Sequence, residues 1–170
     1  KKACFEAGMN GHIAKPIDPE ELVATVVRHA RQARKPAQRI EWHPSFSVGV
    51  RELDGHHQTL ARLINRCIDM ADRAVDPVAI SEVLNSLVNY AVYHFTYEEK
   101  LLAERGYPEL GRQVDDHNEF SQTMAEACYR MIHGHADPLE LLDFLSSWWH
   151  HHILRVDMKY KDFLAAEPAR

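Results

Sequence analysis

The chain has 170 residues, of which 45% are hydrophobic and 26% are charged, a balance that supports a packed core and excludes an intrinsically disordered chain. A net charge of −5 without any Lys/Arg cluster argues against nucleic acid as a partner, and no apolar run approaches the roughly 20 residues of a membrane span. The three cysteines form no C-x-x-C pair, so they indicate neither a disulfide framework nor a thiolate zinc site and favour a reducing, cytoplasmic compartment.

Residues 1–34 differ in pattern from the rest of the chain. A short strand is predicted at His12–Ala14, and a helix is predicted to reach about residue 34, with Asp18 as its N-cap and Pro19 at its first position. Because an exposed apolar stripe is an association site, we expect the stripe on this helix to be buried on the bundle or in a homodimer. The stripe comprises Leu22, Val23, Val26, Val27 and Ala30.

On two short motifs, Ala7–Gly11 and Lys15–Ile17, this segment resembles the C-terminal tail of a two-component receiver domain. The resemblance implies a place in two-component signalling, within a response regulator whose Lys15 equivalent contacts the phosphoryl group. The acidic pair and phospho-acceptor Asp of a receiver would lie upstream, so we expect this chain to be a fragment that cannot act as a receiver alone. The alternative is that residues 1–34 are an unrelated helical extension. Residues 35–40 are predicted to be a linker.

The remaining residues predict an all-α fold. Residues 41–55 read as an irregular arm with apolar anchors such as Trp42 and Phe46. Helices of 18 to 29 residues joined by short loops predict an antiparallel up-down-up-down four-helix bundle. Apolar periodicity and the Pro and Gly residues near the helix ends place the four helices at about 55–72, 77–104, 109–133 and 137–165.

Six histidine and carboxylate side chains lie on apolar-periodic segments of these four helices. Buried groups of this kind are costly unless they are paired or bind a metal, so their convergence predicts a metal site suited to iron or manganese. The i, i+4 spacing of His94 and Glu98 places both on one helix face. Alone, His57 or His117 would more often be a satisfied core histidine than a ligand. The six are His57, His94, Glu98, His117, His152 and Asp157.

Spacing alone leaves part of this site open. Asp157 follows His152 by five residues, an offset of about 140° on an ideal α-helix, so the spacing does not predict a shared site. Glu99 lies about 100° round the helix from Glu98 and is expected to face solvent. His56 points to a different face from its neighbour and is a weaker candidate.

The combined pattern from about residue 41 to 165 resembles a bacterial hemerythrin domain, with the motifs in that family's order and local spacing. The resemblance implies two non-haem iron ions, Fe2+ or Fe3+, with a bridging oxo or hydroxo group or bound O2. The ligands that it implies are His57 and His94 for one iron, His117 and His152 for the other, and Glu98 and Asp157 as bridges. The matching motifs are Asp54-x-x-His57-x-x-Leu60, His94-Phe95-x-x-Glu98-Glu99, Tyr107-Pro108 followed by His117-x-x-Phe120, and Trp148-x-x-x-His152-Ile153-x-x-x-Asp157-x-x-Tyr160.

One position departs from the family pattern. The family usually has a histidine four residues before the position of His117, where this chain has Gln113. Because an amide oxygen is a poorer iron ligand than imidazole, Gln113 is interpreted as a weak ligand, as a hydrogen-bond partner of bound water or oxygen, or as leaving an open position on the second iron. We expect that iron to bind more weakly, or the ferrous site to oxidise readily.

Three functions remain open on the sequence. The first is an oxygen-binding or redox-sensing domain, the output or sensory module of a two-component protein, with O2 or small anions such as azide as ligands and signalling proteins as partners. The second is an enzyme, a diiron reductase of peroxide, dioxygen or nitric oxide, although no catalytic residue is identified. The third is a histidine phosphotransfer module using His57. The residues expected to line a dry pocket are Leu60, Ile64, Phe95, Leu102, Phe120, Met124 and Ile153.

Overall fold

A computed structural model describes residues 37–72, 77–132 and 138–166, and within these ranges the chain forms helices and turns but no strand. A 3-10 turn spans Pro44–Phe46, and a π-helical segment, His152–Asp157, joins the last two α-helices. The predictions for residues 1–34, including the receiver-like tail, lie outside the described residues. The α-helices are α1 (Arg51–Asp72), α2 (Pro77–Arg105), α3 (Leu110–Ile132), α4 (Pro138–His151) and α5 (Met158–Ala166).

The helices pack as the predicted bundle. Helix α1 packs on α2 and α2 packs on α3, while α4 contacts both α1 and α3 and closes the ring. The predicted all-α fold class is therefore confirmed. Among the helices of the described ranges, none is long and apolar enough to cross a membrane.

The ends of α2 and α4 follow from local sequence. Pro77 and Pro138 begin these helices, at a position where the missing backbone N–H has no helical partner to lose. Helix α2 ends at Arg105 and is followed by Gly106, whose φ of 71° is a left-handed conformation that glycine adopts without strain. The N–H of Tyr107 then donates to the carbonyl of Leu102 at 2.9 Å, which closes a Schellman motif.

Helix α1 begins at Arg51, earlier than the predicted start at about residue 55. The carbonyl of Val50 accepts the first helical hydrogen bond, from the N–H of Asp54 at 2.9 Å. The Asp54 carboxylate does not cap a helix that starts after it. It turns back and accepts hydrogen bonds from the Ser47 hydroxyl at 2.6 Å and from the Val48 N–H at 2.8 Å. The helix therefore passes through Asp54, and the arm before it ends at Val50.

This arm, residues 37–50, is held on the bundle by side chains rather than by regular structure. The Asn65 side-chain amide on α1 forms hydrogen bonds with both backbone polar groups of Ile40. Its Oδ1 accepts from the Ile40 N–H and its Nδ2 donates to the Ile40 carbonyl, each at 2.8 Å. Ile40 itself is 3% exposed and belongs to the core. One half-buried amide thus replaces the hydrogen bonds that a strand partner would otherwise supply.

The arm also reaches the interior through aromatic contacts. Trp42 and Phe46 pack edge-on against Trp149 of α4, with ring centroids 6.4 Å and 5.6 Å apart. Trp149 is fully buried, and its indole N–H donates to the backbone carbonyl of His57 at 3.2 Å. The arm is therefore connected, through one side chain, to the segment of α1 that carries a candidate ligand.

We expect Asn65→Ala to lower the free energy of unfolding by about 1–3 kcal/mol, because it leaves two backbone groups of a buried residue without partners. Asn89→Ala, at an exposed position on α2, is the matched control and should change stability by less than about 0.5 kcal/mol. Chemical denaturation followed by circular dichroism measures both. Equal effects of the two substitutions would show that Asn65 does not anchor the arm.

Candidate metal centre

The predicted ligands lie in a polar layer between two apolar clusters of the bundle core. The larger cluster extends from the layer towards one end of the bundle, and the smaller cluster lies on its other side. Along each helical segment, a candidate ligand lies between a residue of the larger cluster and a residue of the smaller cluster. In that order, larger cluster, ligand and smaller cluster, the sets are Leu60, His57 and Leu53; Phe95, Glu98 and Leu102; Phe120, His117 and Tyr107; and Ile153, Asp157 and Tyr160.

The structure brings all six predicted residues together, and each is at most 2% exposed. They form two overlapping groups, and within each group one potential ligand atom per residue lies within 4.8 Å of the others. Glu98 belongs to both groups. The first group is His57, His94, Glu98 and Asp157, and the second is Glu98, His117 and His152.

The distances between these atoms show how the two groups adjoin. Asp157 faces both, with Oδ2 lying 3.3 Å from Nε2 of His57 and Oδ1 lying 3.2 Å from Nε2 of His152. Oε2 of Glu98 lies 3.1 Å from Nε2 of His117. Both carboxylates thus lie close to imidazoles, where a bound cation would meet nitrogen and oxygen ligands together.

Several polar atoms of this layer have no hydrogen-bond partner among the described residues. They are both ring nitrogens of His57 and of His94, Nε2 of His117 and of His152, and Oδ2 of Asp157. A buried polar atom without a partner costs free energy, and a metal ion would supply the missing interaction. Imidazole nitrogen and carboxylate oxygen are the donors that suit iron, so the residues fit the metal that their pattern implies.

Two carboxylates outside the layer orient the imidazoles of the second group. Nδ1 of His117 lies 2.7 Å from Oε1 of Glu99, and Nδ1 of His152 lies 2.6 Å from Oδ2 of Asp116. A carboxylate on Nδ1 holds the proton there and leaves Nε2 free to bind a metal. The expectation that Glu99 faces solvent was wrong: its side chain is only 33% exposed and bends back over His117. Asp116 was missed because its role depends on how α3 packs against the π-helical segment.

Aromatic rings hold the same two imidazoles in place. Phe95 stacks on His117 with centroids 3.9 Å apart and an interplanar angle of 11°. Trp148 stacks on His152 at 4.4 Å and 15°. All seven residues expected to line an apolar pocket are buried, with 5% exposure or less. Ligand orientation in the second group therefore rests on packing as well as on hydrogen bonds.

The π-helical segment explains how His152 and Asp157 meet although they are five residues apart. In this segment the hydrogen bonds skip five residues instead of four, as shown by the Met158 N–H, which donates to the Ile153 carbonyl. The wider turn brings residues five apart onto one face, as an α-helix does for residues four apart. The chain is helical from Pro138 to Ala166, as predicted for about 137–165, but it contains a π-helical turn at His152–Asp157 that the sequence did not predict.

Gln113 occupies the departure point of the family pattern, and it bonds to both carboxylates. Its Nε2 donates to Oε2 of Glu98 at 3.0 Å and to Oδ1 of Asp157 at 2.6 Å. Tyr160, for which the sequence predicted no role in the site, donates its hydroxyl to Oε1 of Glu98. Both carboxylates are thus positioned by neutral hydrogen-bond donors from α3 and α5.

Burial governs the ionisation of most of the layer. It lowers the pKa of His57 to about 3 and lowers the pKa of His94 and of His152, so these rings are neutral at pH 7, the form in which imidazole binds metal. Burial opposes charge on His117 too, but its contacts with Glu98 and Glu99 outweigh burial and raise its pKa.

The two carboxylates respond in opposite directions. Burial, reinforced by the neighbouring charge of Glu98, raises the pKa of Asp157 well above its usual range. Burial acts in the same direction on Glu98, but the His117 ring 3.1 Å away and the surrounding imidazoles hold its pKa below the usual range. A cation shared by both would remove the repulsion that disfavours charge on Asp157.

Comparison with known proteins finds similarity to hemerythrins. A family model described as "Hemerythrin HHE cation binding domain" matches residues 48–164. The chain is 30% identical over 125 residues to a "Bacteriohemerythrin" of Stenotrophomonas maltophilia (strain R551-3), covering 74% of this chain and 81% of that protein. It is 32% identical over 123 residues to a "Hemerythrin-like protein" of Naegleria gruberi, covering 72% and 92%. A crystal structure described as wild-type hemerythrin superposes with a TM-score of 0.69 at 26% identity, covering 76% of this chain and all of that one.

We expect Asp116→Asn to weaken Fe2+ binding by about tenfold or more, because the amide no longer fixes the proton on Nδ1 of His152. Asp115→Asn changes the same residue type at the adjacent, more exposed position and should leave the affinity unchanged. Anaerobic titration with Fe2+ measures both variants. If both bound Fe2+ as the unmodified chain does, orientation by Asp116 would have no part in metal binding.

Proposed function

The chain belongs to the hemerythrin family, which binds non-haem iron and oxygen, and we propose that its bundle holds a diiron centre that binds O2 or senses redox state. In this proposal one iron is held by His57 and His94 and the other by His117 and His152. Glu98 and Asp157 bridge the pair.

The observation that carries the proposal is the set of buried metal-binding atoms without partners, which converge from α1, α2, α3 and the π-helical segment. A fold that needed these side chains only for packing would be more stable with apolar residues in their place. When bound, a ferrous pair supplies the two electrons that O2 binding requires.

The protein's own residues supply the surroundings. The apolar clusters on both sides of the layer exclude water, which strengthens every electrostatic interaction within it. Glu99 and Asp116 hold protons on Nδ1 of their histidines, so that the facing nitrogens stay available. The Tyr160 hydroxyl and the Gln113 amide are the O–H and N–H donors at the carboxylates, and they hold Glu98 and Asp157 in position.

A signalling role extends the proposal to the whole chain. The resemblance of residues 1–34 to a receiver tail favours a sensory or output module of a two-component protein, with signalling proteins as partners and a homodimer as one mode of association. The arm supports a connection to the centre, because Trp42 and Phe46 pack on Trp149, which bonds to the backbone of His57.

Gln113 favours a second candidate, a diiron reductase of peroxide, dioxygen or nitric oxide, because an amide stands where the family usually supplies an imidazole. The phosphotransfer alternative has no such support. It requires a solvent-exposed histidine, whereas His57 has no exposed surface.

We expect the chain, reconstituted anaerobically with Fe2+ and then exposed to air, to bind about two irons and to show ferric absorption bands that shift with azide. His152→Ala should abolish the bands, because it removes an imidazole from the layer. His151→Ala, at the adjacent exposed position, is the matched control and should retain them. The proposal would be wrong if the reconstituted chain held no iron, or if both substitutions had the same effect on iron content.

A further inference from the structure

The two candidate metal positions differ in which of their ligand atoms are already engaged. The first position is the group of His57, His94, Glu98 and Asp157, and the second position is the group around His117 and His152. At the first position, Nε2 of His57 and Oδ2 of Asp157 face each other at 3.3 Å, and neither has a hydrogen-bond partner among the described residues. An arriving cation meets these atoms without breaking a hydrogen bond.

At the second position Nε2 of His117 and Nε2 of His152 have no hydrogen-bond partner among the described residues, but the carboxylate oxygens that face them do. The oxygens nearest His117 and His152 are Oε2 of Glu98 and Oδ1 of Asp157, at 3.1 Å and 3.2 Å. These are the two atoms that accept hydrogen bonds from Nε2 of Gln113. The amide therefore uses the oxygens that a second cation would need.

The same contacts place a positive dipole beside the second position. The amide hydrogens of Gln113 point at the oxygens, and a hydrogen bond to a carboxylate withdraws electron density that would otherwise bind a metal. Gln113 is 2% exposed and so lacks a solvated alternative for its N–H groups. Moving it aside leaves buried donors unsatisfied, which costs free energy. The other oxygen of Glu98, Oε1, accepts a hydrogen bond from the Tyr160 hydroxyl, whereas Oδ2 of Asp157 at the first position has no hydrogen-bond partner among the described residues.

We infer that Gln113 makes metal loading sequential: the first position fills before the second, and the second ion binds only against competition from the Gln113 amide. This inference rests on the proposed diiron function and adds an order of filling to it. Gln113 is then a positioning residue that tunes the second position, and it acts as a hydrogen-bond donor rather than as a metal ligand. A form of the protein with one metal ion follows as a stable species.

The experiment is an anaerobic titration of the metal-free chain with Fe2+, repeated with Co2+, by calorimetry and with histidine side-chain NMR. We expect two steps, the second at least about tenfold weaker. Signals of His57 and His94 should change in the first step, and those of His117 and His152 in the second. Gln113→Leu removes the hydrogen-bond donor without adding a ligand, so it should reduce the difference in affinity between the first and the second binding step. Gln113→His should narrow it further by adding an imidazole.

Gln122→Leu, an exposed glutamine on the same helix, is the matched control and should leave both steps unchanged. Circular dichroism of each metal-free variant checks that it folds. The two Gln113 variants test the effect of this residue on the second binding step independently of each other. Two ions binding in one step to the unmodified chain would overturn the inference while leaving the diiron proposal intact. A weaker second step in Gln113→Leu would show that Gln113 is a ligand instead. Failure of the unmodified chain to bind either metal would refute the diiron proposal itself.

Discussion

The burial of ionisable side chains in one layer is the constraint on which the rest of this structure depends. Four imidazoles and two carboxylates sit where water does not reach, between apolar clusters that would otherwise be continuous. Such a layer is tolerable only if its groups are bonded to one another, to nearby side chains or to a metal. The helices, the arm and the aromatic stacks can each be understood by their contribution to meeting that requirement.

The supporting contacts divide the layer into unequal halves. Imidazoles of one half are fixed on their outer side, by Glu99 and Asp116, and are stacked against aromatic rings. Nδ1 of His57 and Nδ1 of His94 have no hydrogen-bond partner among the described residues. The half that is better braced also contains Gln113, the residue that departs from the family pattern. The orientation of the imidazoles and the availability of the carboxylate oxygens are therefore controlled by different residues. A substitution can change one of these two properties without changing the other.

Much of this could be predicted from the sequence, and the failures have physical causes. The helices follow from apolar periodicity and from Pro and Gly at their ends, and the inward histidines follow from their place on those apolar faces. Glu99 was expected to face solvent because only its angle around the helix was considered. In the structure its carboxylate lies 2.7 Å from Nδ1 of His117. The start of α1 was placed too late, because the contacts of the Asp54 carboxylate with Ser47 and Val48, which fix where the arm ends, cannot be read from apolar periodicity. Asp116 had no local signal, since it acts on a residue 36 positions away.

The π-helical segment has a consequence for the chain beyond the layer. A π turn holds one residue more than the α turn it replaces, which shifts the phase of every later residue by about 100°. This shift determines which side of helix α5 faces the bundle. As a result the Tyr160 hydroxyl donates to Glu98, and the Lys161 ammonium donates to the carbonyl of Ser47 at 2.7 Å. The number of residues between His152 and Asp157 is thus as much a part of the site's specification as their identity. A change of one residue in the length of this segment would turn the wrong side of the final helix towards the centre, even if every side chain named above were retained.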